Sequence, residues 1–316
     1  MAAVVEIADP ESGSTARILA SQGFNCFSWR AALSDGPREM LWAEAGFEAG
    51  DKRPSASGTP LMFPFPGRIR DATIEFDGRR YELQPADAFG NAIHGFVYNR
   101  PWRIVEQAAS RVVGEFHASR DDASILERWP ADFRIQVAYQ IRGRALVSRV
   151  RYENTGDRPL PCGFGTHAYF RLPLAEGSKV EDTVVTAPVD QYWETEHMIP
   201  TGRLAPISAA HTLAQGLRLD EHQFDTCFTI AAGEGDRLQT RLADPASGRA
   251  VTQAFDRSFT QCVIYTPAHR QAICLEPYTC VPDAIRLAAA GHETGLEILQ
   301  PGETRQTTLE IEVSEA

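Results

Sequence analysis

A histidine and a glutamate that lie far apart in the sequence are the residues best suited to proton-transfer chemistry. His167 lies in the segment 165–172 (Gly-Thr-His-Ala-Tyr-Phe-Arg-Leu), and Glu276 follows the apolar segment 273–275. A histidine exchanges its proton near neutral pH, and a carboxylate across a pocket can complete a general acid–base pair. These two residue types favour acid–base chemistry on a neutral polar substrate, provided that the fold brings them together.

Three further polar residues have surroundings that favour substrate binding. Arg68 follows the proline- and phenylalanine-rich segment 63–67, and His94 precedes Gly95, which permits close backbone approach. Asp225 is a polar residue at the start of an apolar strand. Each also has an ordinary structural explanation, namely an ion pair for Arg68, a loop hydrogen bond for His94 and a turn for Asp225.

The periodicity around these residues is typical of β-strands. Apolar and polar residues alternate between Phe133 and Asn154, with one turn in the middle. Helical periodicity is scarce: it predicts a short helix over 124–129, begun by a serine N-cap, and a short turn near 284–289. The pattern predicts an all-β protein, an antiparallel β-sandwich with few short helices. Further strand candidates are 16–20, 24–30, 73–76, 79–83, 102–107, 111–117, 182–186, 224–230, 237–242, 249–255, 261–266, 272–276 and 309–313.

The size and the spacing of these elements favour one domain. The chain has 316 residues, of which 43% are hydrophobic, and can therefore bury a substantial core. The segment 50–60 is the most loop-like, and no comparable segment divides the middle of the chain. We expect a single domain over residues 1–316.

Charge and cysteine content restrict the partners and the compartment. A net charge of −11 argues against nucleic acid and anionic membranes as partners. The segment 1–9 lacks the basic start of a secretory signal, and no apolar run is long enough to cross a membrane. The 6 cysteines lack the paired spacing of a zinc site or a disulfide framework. We expect reduced thiols, no metal site and a cytoplasmic protein.

Five segments of the sequence carry a family resemblance. They are Arg68 after Phe-Pro-Phe-Pro-Gly, the pair His94 and Gly95, the sequence His-Ala-Tyr-Phe at 167–170, Asp225 before an aromatic strand, and Leu-Glu at 275–276. In this order, the segments resemble the motifs of the aldose 1-epimerases, the mutarotases of the galactose type. Two residues depart from the family pattern, since Gly67 stands in place of an asparagine and Ala168 in place of a proline.

The resemblance implies a fold, an activity and a role for each residue. It implies a large, galactose mutarotase-like β-supersandwich that interconverts the α and β anomers of a free hexose without a cofactor. Glu276 would be the general base and His167 the general acid, while Arg68, His94 and Asp225 would hold the sugar hydroxyls and the ring oxygen. The first transfer then requires an ionised Glu276 and a protonated His167.

Three alternatives remain open, all with a small sugar as ligand. A glycoside hydrolase would use Asp225 and Glu276 as paired carboxylates. A non-catalytic carbohydrate-binding or regulatory module would share the same scaffold, since a fold does not by itself confer activity. A mutarotase of hexose 6-phosphates would need a basic patch, for which Arg70, Arg100 and Arg103 are candidates. The sequence does not predict an oligomeric state.

Overall fold

Antiparallel β-sheet makes up most of the fold. The computed structural model describes residues 4–208, 213–220, 222–233 and 235–315. Every strand pair of the two large sheets is antiparallel. The predicted all-β class and the antiparallel pairing of its strands are confirmed.

The strands are short, and turns separate most of them. Those of the first half are β1 (Val4–Ala8), β2 (Thr15–Leu19), β3 (Asn25–Leu33), β4 (Gly36–Glu39), β5 (Leu61–Met62), β6 (Arg68–Ile69), β7 (Thr73–Phe76), β8 (Arg79–Glu82), β9 (Ala92–Ile93), β10 (Arg103–Ala108), β11 (Arg111–His117), β12 (Phe133–Arg142) and β13 (Ala145–Asn154). Those of the second half are β14 (Leu160–Cys162), β15 (Gly165–Thr166), β16 (Ala168–Arg171), β17 (Val184–Thr186), β18 (Val189–Glu196), β19 (Ile199–Pro206), β20 (Leu217–Arg218), β21 (Asp225–Ile230), β22 (Arg237–Asp244), β23 (Arg249–Asp256), β24 (Gln261–Tyr265), β25 (Ala272–Tyr278), β26 (Glu297–Leu299) and β27 (Thr304–Glu315).

Two large sheets contain most of these strands. The back sheet has the order β10-β11-β12-β13-β27-β23-β22-β17-β20. The site sheet has the order β19-β18-β21-β24-β25-β15-β5, and β16 is an additional partner of β25. Smaller sheets are formed by β1-β2-β3-β4, β14-β26, β6-β9 and β7-β8.

The two faces of the site sheet have different surroundings. On β25, Ile273 and Leu275 belong to the main hydrophobic cluster, which also contains Leu309 of the back sheet. Successive side chains of a strand point to opposite faces, so Cys274 and Glu276 face away from this cluster. The core thus lies between the two sheets, and Glu276 lies on the other face of the site sheet.

The helices are few and short, as predicted. The α-helices are α1 (Ala118–Asp121) and α2 (Ala284–Ala289), and 3-10 helices span Phe47–Ala49, Pro54–Ala56, Arg70–Ala72, Ala123–Glu127 and Val180–Asp182. The turn predicted near 284–289 is α2. The helix predicted over 124–129 is a 3-10 turn, and its N-cap is Asp122 rather than the expected Ser124. The reason is that the Asp122 carboxylate accepts a hydrogen bond from the backbone N–H of Ser124.

The sequence pattern does not predict the hairpin of β18 and β19. β19 lies at an edge of the site sheet and contains Pro200, Gly202 and Pro206. Proline and glycine weaken the pattern of a strand and are tolerated at a sheet edge. The turn of this hairpin, at His197 and Met198, has a left-handed backbone conformation.

Three expectations concern the chain as a whole. All 6 cysteines are buried, and none of them is in a disulfide. None of the helices in the described ranges is long and apolar enough to cross a membrane. The single domain over residues 1–316 stays a prediction, and residues 1–3 of the N-terminal segment lie outside the described ranges.

Replacing Ile264 with alanine should lower the free energy of unfolding by about 2–5 kcal/mol, because the deleted groups leave a cavity in a close-packed core. Ile264 is a fully buried residue on the core face of β24. Urea unfolding followed by tryptophan fluorescence measures the change. The matched control is Val105→Ala, whose exposed side chain in β10 should contribute less than about 1 kcal/mol. Equal losses in the two variants would contradict the assignment of the core face.

Candidate functional site

The register of the site sheet places side chains from four strands in one row. Tyr169 of β16 pairs with Cys274 of β25, and Cys274 pairs with Tyr265 of β24. Tyr265 in turn pairs with Asp225, the first residue of β21. Residues that are paired across strands point to the same face of a sheet. Segments that are distant in sequence therefore meet on the face that points away from the core.

The same register brings His167 opposite Glu276. Ala168 pairs with Leu275 in an antiparallel register. His167, which precedes Ala168, therefore lies opposite Glu276, which follows Leu275. Nε2 of His167 lies 3.2 Å from Oε1 of Glu276, and the two side chains are 9% and 1% exposed. A proton held between these groups is therefore shielded from bulk water.

Tyr278 fixes the orientation of the Glu276 carboxyl group. The two residues are two positions apart on β25 and thus share a face. The buried hydroxyl of Tyr278 donates a hydrogen bond of 2.6 Å to Oε2 of Glu276. Oε1 accepts no hydrogen bond from the residues that the structure describes, although it lies next to His167. Sequence reasoning missed Tyr278, and the spacing of two along a strand is the signal that could have identified it.

Two rings hold the imidazole of His167 in place. The ring of Tyr169 stacks on it, with 4.8 Å between centroids and 7° between planes. The ring of His94 meets it edge-on, at 5.6 Å and 88°. The backbone N–H of His94 donates a hydrogen bond of 2.8 Å to the carbonyl of Gly67. The buried Nδ1 of His94 has no partner within the described ranges and can bind a ligand.

Two glycines allow the surrounding loops to approach the site. Gly67 has a φ of 65°, and a Cβ there would lie 2.5 Å from Cγ of Pro282. Gly95 has a φ of 75°, and a Cβ there would lie 2.2 Å from the carbonyl oxygen of Phe63. In this structure both positions therefore favour glycine. At position 67, Pro282 occupies the space that the family's asparagine would need. The other departure, Ala168, is fully buried in the main core cluster.

An ion pair with Asp87 orients Arg68. Nε of Arg68 donates a hydrogen bond of 3.1 Å to Oδ2 of Asp87. The same carboxylate accepts hydrogen bonds from the backbone N–H groups of Phe89 and Asn91, both at 2.9 Å, and from the Asn91 side chain at 3.0 Å. Because Nε is engaged, the terminal guanidinium nitrogens remain to donate to a ligand.

All five predicted site residues line one cavity of about 270 Å³. These residues are Arg68, His94, His167, Asp225 and Glu276. Asp225 is exposed, whereas both histidines and the glutamate are buried. Sequence reasoning missed other lining residues: Arg53 and Ser55 from the segment 50–60, Thr195 and Met198 from the β18–β19 hairpin, and Cys227, Tyr265 and Tyr278 from the site sheet. The volume lies near the lower limit of ligand pockets and suits a small polar ligand.

The arginines considered for a phosphate site, Arg70, Arg100 and Arg103, do not line this cavity. Arg100 and Arg103 instead form ion pairs of 2.7 to 2.9 Å with carboxylates of neighbouring segments. Their charges are therefore already compensated. The described arginines at the cavity are Arg68 and Arg53.

Burial shifts the pKa values of His167 and Glu276 away from the expected form, in which both groups are charged. Burial raises the pKa of Glu276 well above its ordinary value, and the hydrogen bond from Tyr278 opposes this shift. Burial also lowers the pKa of His167 to about 3. Both shifts favour the neutral forms, a carboxylic acid beside an imidazole, over an ionised Glu276 and a protonated His167. The physical reason is that removing both charges from water costs more than their attraction returns.

Desolvation also shifts the pKa values of His94 and Asp225. Burial lowers the pKa of His94 well below its ordinary value, and the charges nearby on His167 and Arg68 act in the same direction. Desolvation raises the pKa of Asp225, while the charge of Arg68 lowers it. His94 is therefore a neutral hydrogen-bonding group at neutral pH.

The site also contains a set of potential metal ligands. The ligating atoms of His167, Cys274 and Glu276 all lie within 4.8 Å of one another, and all three residues are buried. Nitrogen, sulfur and oxygen ligands of this kind are those of zinc sites.

Comparisons with known proteins place the chain in a family. A sequence model of the aldose 1-epimerase family matches residues 5–312. The uncharacterized Escherichia coli protein YihR is 24% identical over 238 residues, which cover 74% of this chain and 73% of that protein. A galactose mutarotase-like protein from Clostridium acetobutylicum has a TM-score of 0.85 at 19% identity and covers 100% of this chain and 99% of its own.

A second solved structure, of the GalM/aldose epimerase homologue from C. elegans, has a TM-score of 0.82 at 20% identity, with both chains covered at 100%. At these identities, the structural likeness establishes the fold alone. It confirms the predicted galactose mutarotase-like β-supersandwich.

Replacing Glu276 with glutamine should make stability less dependent on pH. The pKa of Glu276 in the folded chain lies above its ordinary value of 4.5. Its contribution to stability is therefore fully present below that ordinary value and is lost as the pH rises through the folded pKa. Glutamine stays neutral, so the Tm of the variant relative to wild type should rise as the pH increases above the ordinary pKa of a glutamate.

Scanning calorimetry measures this difference in Tm. The control is Glu312→Gln on β27, which makes the same substitution at an exposed side chain. A Glu276→Gln difference that decreases towards high pH would contradict the raised pKa.

Proposed function

Because the chain belongs to the aldose 1-epimerase family, we propose that it is a mutarotase that interconverts the α and β anomers of a free hexose. The observation that carries the proposal is the 3.2 Å contact between Nε2 of His167 and Oε1 of Glu276. This contact lies at a cavity that Arg68, His94 and Asp225 also line. Opening a pyranose ring requires one oxygen to lose a proton while its neighbour gains one, and such a pair can perform both transfers.

Glu276 acts as the general base and His167 as the general acid. The C1 hydroxyl loses its proton to Glu276, the C1–O5 bond breaks, and O5 gains a proton from His167. The products are an aldehyde at C1 and a free hydroxyl at C5. Rotation about the C1–C2 bond presents the other face of the aldehyde, and the reverse transfers close the ring to the other anomer. The reaction changes no oxidation state, so side chains can supply every transfer.

The pair needs a single proton between its two groups. In the free site this proton is on Glu276, and a transfer to His167 across the contact gives the form that starts the reaction. The sugar hydroxyls and the charge of Arg68 favour this ionised form once the sugar is bound, because they stabilise the carboxylate. Ring opening returns the proton to Glu276. When the sugar is an open-chain aldehyde, Glu276 and His167 are therefore both neutral, which is the arrangement that burial favours.

The other residues bind and orient the sugar. The terminal nitrogens of Arg68 donate hydrogen bonds to sugar oxygens, and the exposed carboxylate of Asp225 accepts hydrogen bonds from hydroxyls. Nδ1 of His94, which lacks a partner in the described part of the chain, contacts a further hydroxyl. A free sugar is a better candidate than a 6-phosphate, because Arg70, Arg100 and Arg103 lie outside the cavity.

Polarimetry on freshly dissolved α-glucose and α-galactose tests the proposal. The wild-type protein should accelerate the approach to anomeric equilibrium, and Glu276→Gln should reduce this acceleration by about 10²- to 10⁴-fold, the usual contribution of a general base. The control variant Glu312→Gln should retain the wild-type rate. Sugar binding without acceleration across a panel of aldoses would overturn the proposal in favour of a binding module. Release of reducing sugar from glycosides would overturn it in favour of a hydrolase.

Tyr278→Phe should shift the alkaline limb of the pH–rate profile to higher pH. The hydrogen bond from Tyr278 lowers the pKa of Glu276, so its removal raises the pH at which the pair loses its shared proton. The profile of kcat/KM from polarimetry measures this limb. The matched control is Tyr265→Phe, which changes a tyrosine at the same cavity that makes no hydrogen bond to Glu276. A Tyr278→Phe limb that stays in place or moves to lower pH would contradict the assigned role of this hydroxyl.

A further inference from the structure

Cys274 is a buried thiol on β25, beside the proton-transfer pair. It precedes Glu276 by two residues, so both side chains point to the same face of the site sheet. Its sulfur lies within 4.8 Å of the ligating atoms of both His167 and Glu276. Cys274 is fully buried and does not line the cavity itself.

The three groups form the ligand set of a zinc ion rather than of a hard cation. Imidazole nitrogen, thiolate sulfur and carboxylate oxygen all bind Zn²⁺, whereas Mg²⁺ and Ca²⁺ prefer oxygen ligands alone. A tetrahedral zinc ion with ligands at about 2.0–2.2 Å holds a nitrogen and an oxygen about 3.3 Å apart. Nε2 of His167 and Oε1 of Glu276 are 3.2 Å apart. These two atoms therefore already have the separation that two ligands of a tetrahedral zinc ion require.

The hydrogen bonds leave one oxygen of the Glu276 carboxyl group free. Oε2 of Glu276 is engaged by the Tyr278 hydroxyl, whereas the buried Oε1 accepts no hydrogen bond from any described residue. Its carboxyl group is 1% exposed, and Oε1 is the oxygen that faces His167. A cation between Oε1 and Nε2 would take the place of the proton that the two groups share.

We infer that His167, Cys274 and Glu276 form an inhibitory zinc site, with Nε2, Sγ and Oε1 as ligands and the fourth position open to the cavity. Binding displaces the protons of the thiol and the carboxyl group to solvent and forms the metal–sulfur and metal–oxygen bonds in their place. The bound ion occupies both groups that move protons. Zinc and sugar therefore exclude each other. The inhibition rests on the proposed mutarotase function, whereas the binding does not.

Equilibrium dialysis of the reduced full-length protein against Zn²⁺ tests the binding. The wild type should bind one ion at this site, and Cys274→Ser should weaken that binding at least tenfold. The matched control is Cys227→Ser, because Cys227 is a buried cysteine that lines the same cavity but does not belong to the ligand cluster. This control should retain the wild-type affinity. Unchanged zinc affinity in Cys274→Ser, or the absence of zinc binding to the wild type, overturns the inference.

Cobalt provides a test that requires no variant. Co²⁺ in the wild-type protein should give the near-ultraviolet charge-transfer absorption of a thiolate ligand, and Cys227→Ser should retain this absorption. A Co²⁺ complex without a thiolate band overturns the site, even where Cys274→Ser fails to fold.

Mutarotation in the presence of Zn²⁺ separates this inference from the proposed function. Zinc should inhibit the wild type, and the zinc concentration for half-inhibition should rise at least tenfold in Cys274→Ser, with each protein compared with its own zinc-free rate. Zinc binding that depends on Cys274 in a protein without mutarotase activity supports the site and overturns the proposed function. Mutarotase activity together with zinc binding that is independent of Cys274 supports the proposed function and overturns the zinc site.

Discussion

The structure of the site depends on the register between β25 and the segment of β15 and β16. Ala168 pairs with Leu275, and this pairing puts His167 across from Glu276. Because side chains alternate along a strand, a shift of one residue would turn Glu276 into the core and Leu275 towards the cavity. The apolar residues on the core face resist such a shift. The hydrophobic core between the two sheets thus fixes the distance between the two proton-transfer groups.

Burial makes this pair a unit that holds one proton. Neither group keeps its ordinary pKa, since both charged forms lose their hydration. The neutral and ionised arrangements differ only in the position of the proton, and the polar contacts of a ligand decide between them. Tyr278 limits the shift of the carboxyl group through its hydrogen bond. The same desolvation that suits proton transfer also leaves Oε1 of Glu276 without a donor in the described part of the chain.

The sequence predicted the strands with clean alternation and the residues of the motifs, because both are local patterns. The hairpin from Phe133 to Asn154 is an example, and its two strands are β12 and β13. The residue types and the resemblance suggested that positions 167 and 276 act as a pair. No local pattern places them in contact, because strand neighbours are chosen by long-range packing. The β18–β19 hairpin, with prolines and a glycine in its edge strand, has no clear pattern. The protonation of the pair depends on burial, which no local pattern gives.

The contact between Gly67 and Pro282 has a consequence for how this protein can change. The segment after β25 packs against Gly67, and the backbone N–H of Asp283 donates a hydrogen bond of 2.8 Å to the carbonyl of Arg68. A larger residue at position 67 is tolerated only where position 282 becomes smaller. In related sequences positions 67 and 282 should therefore vary together. A change at only one of them would displace Arg68 relative to Glu276 of β25.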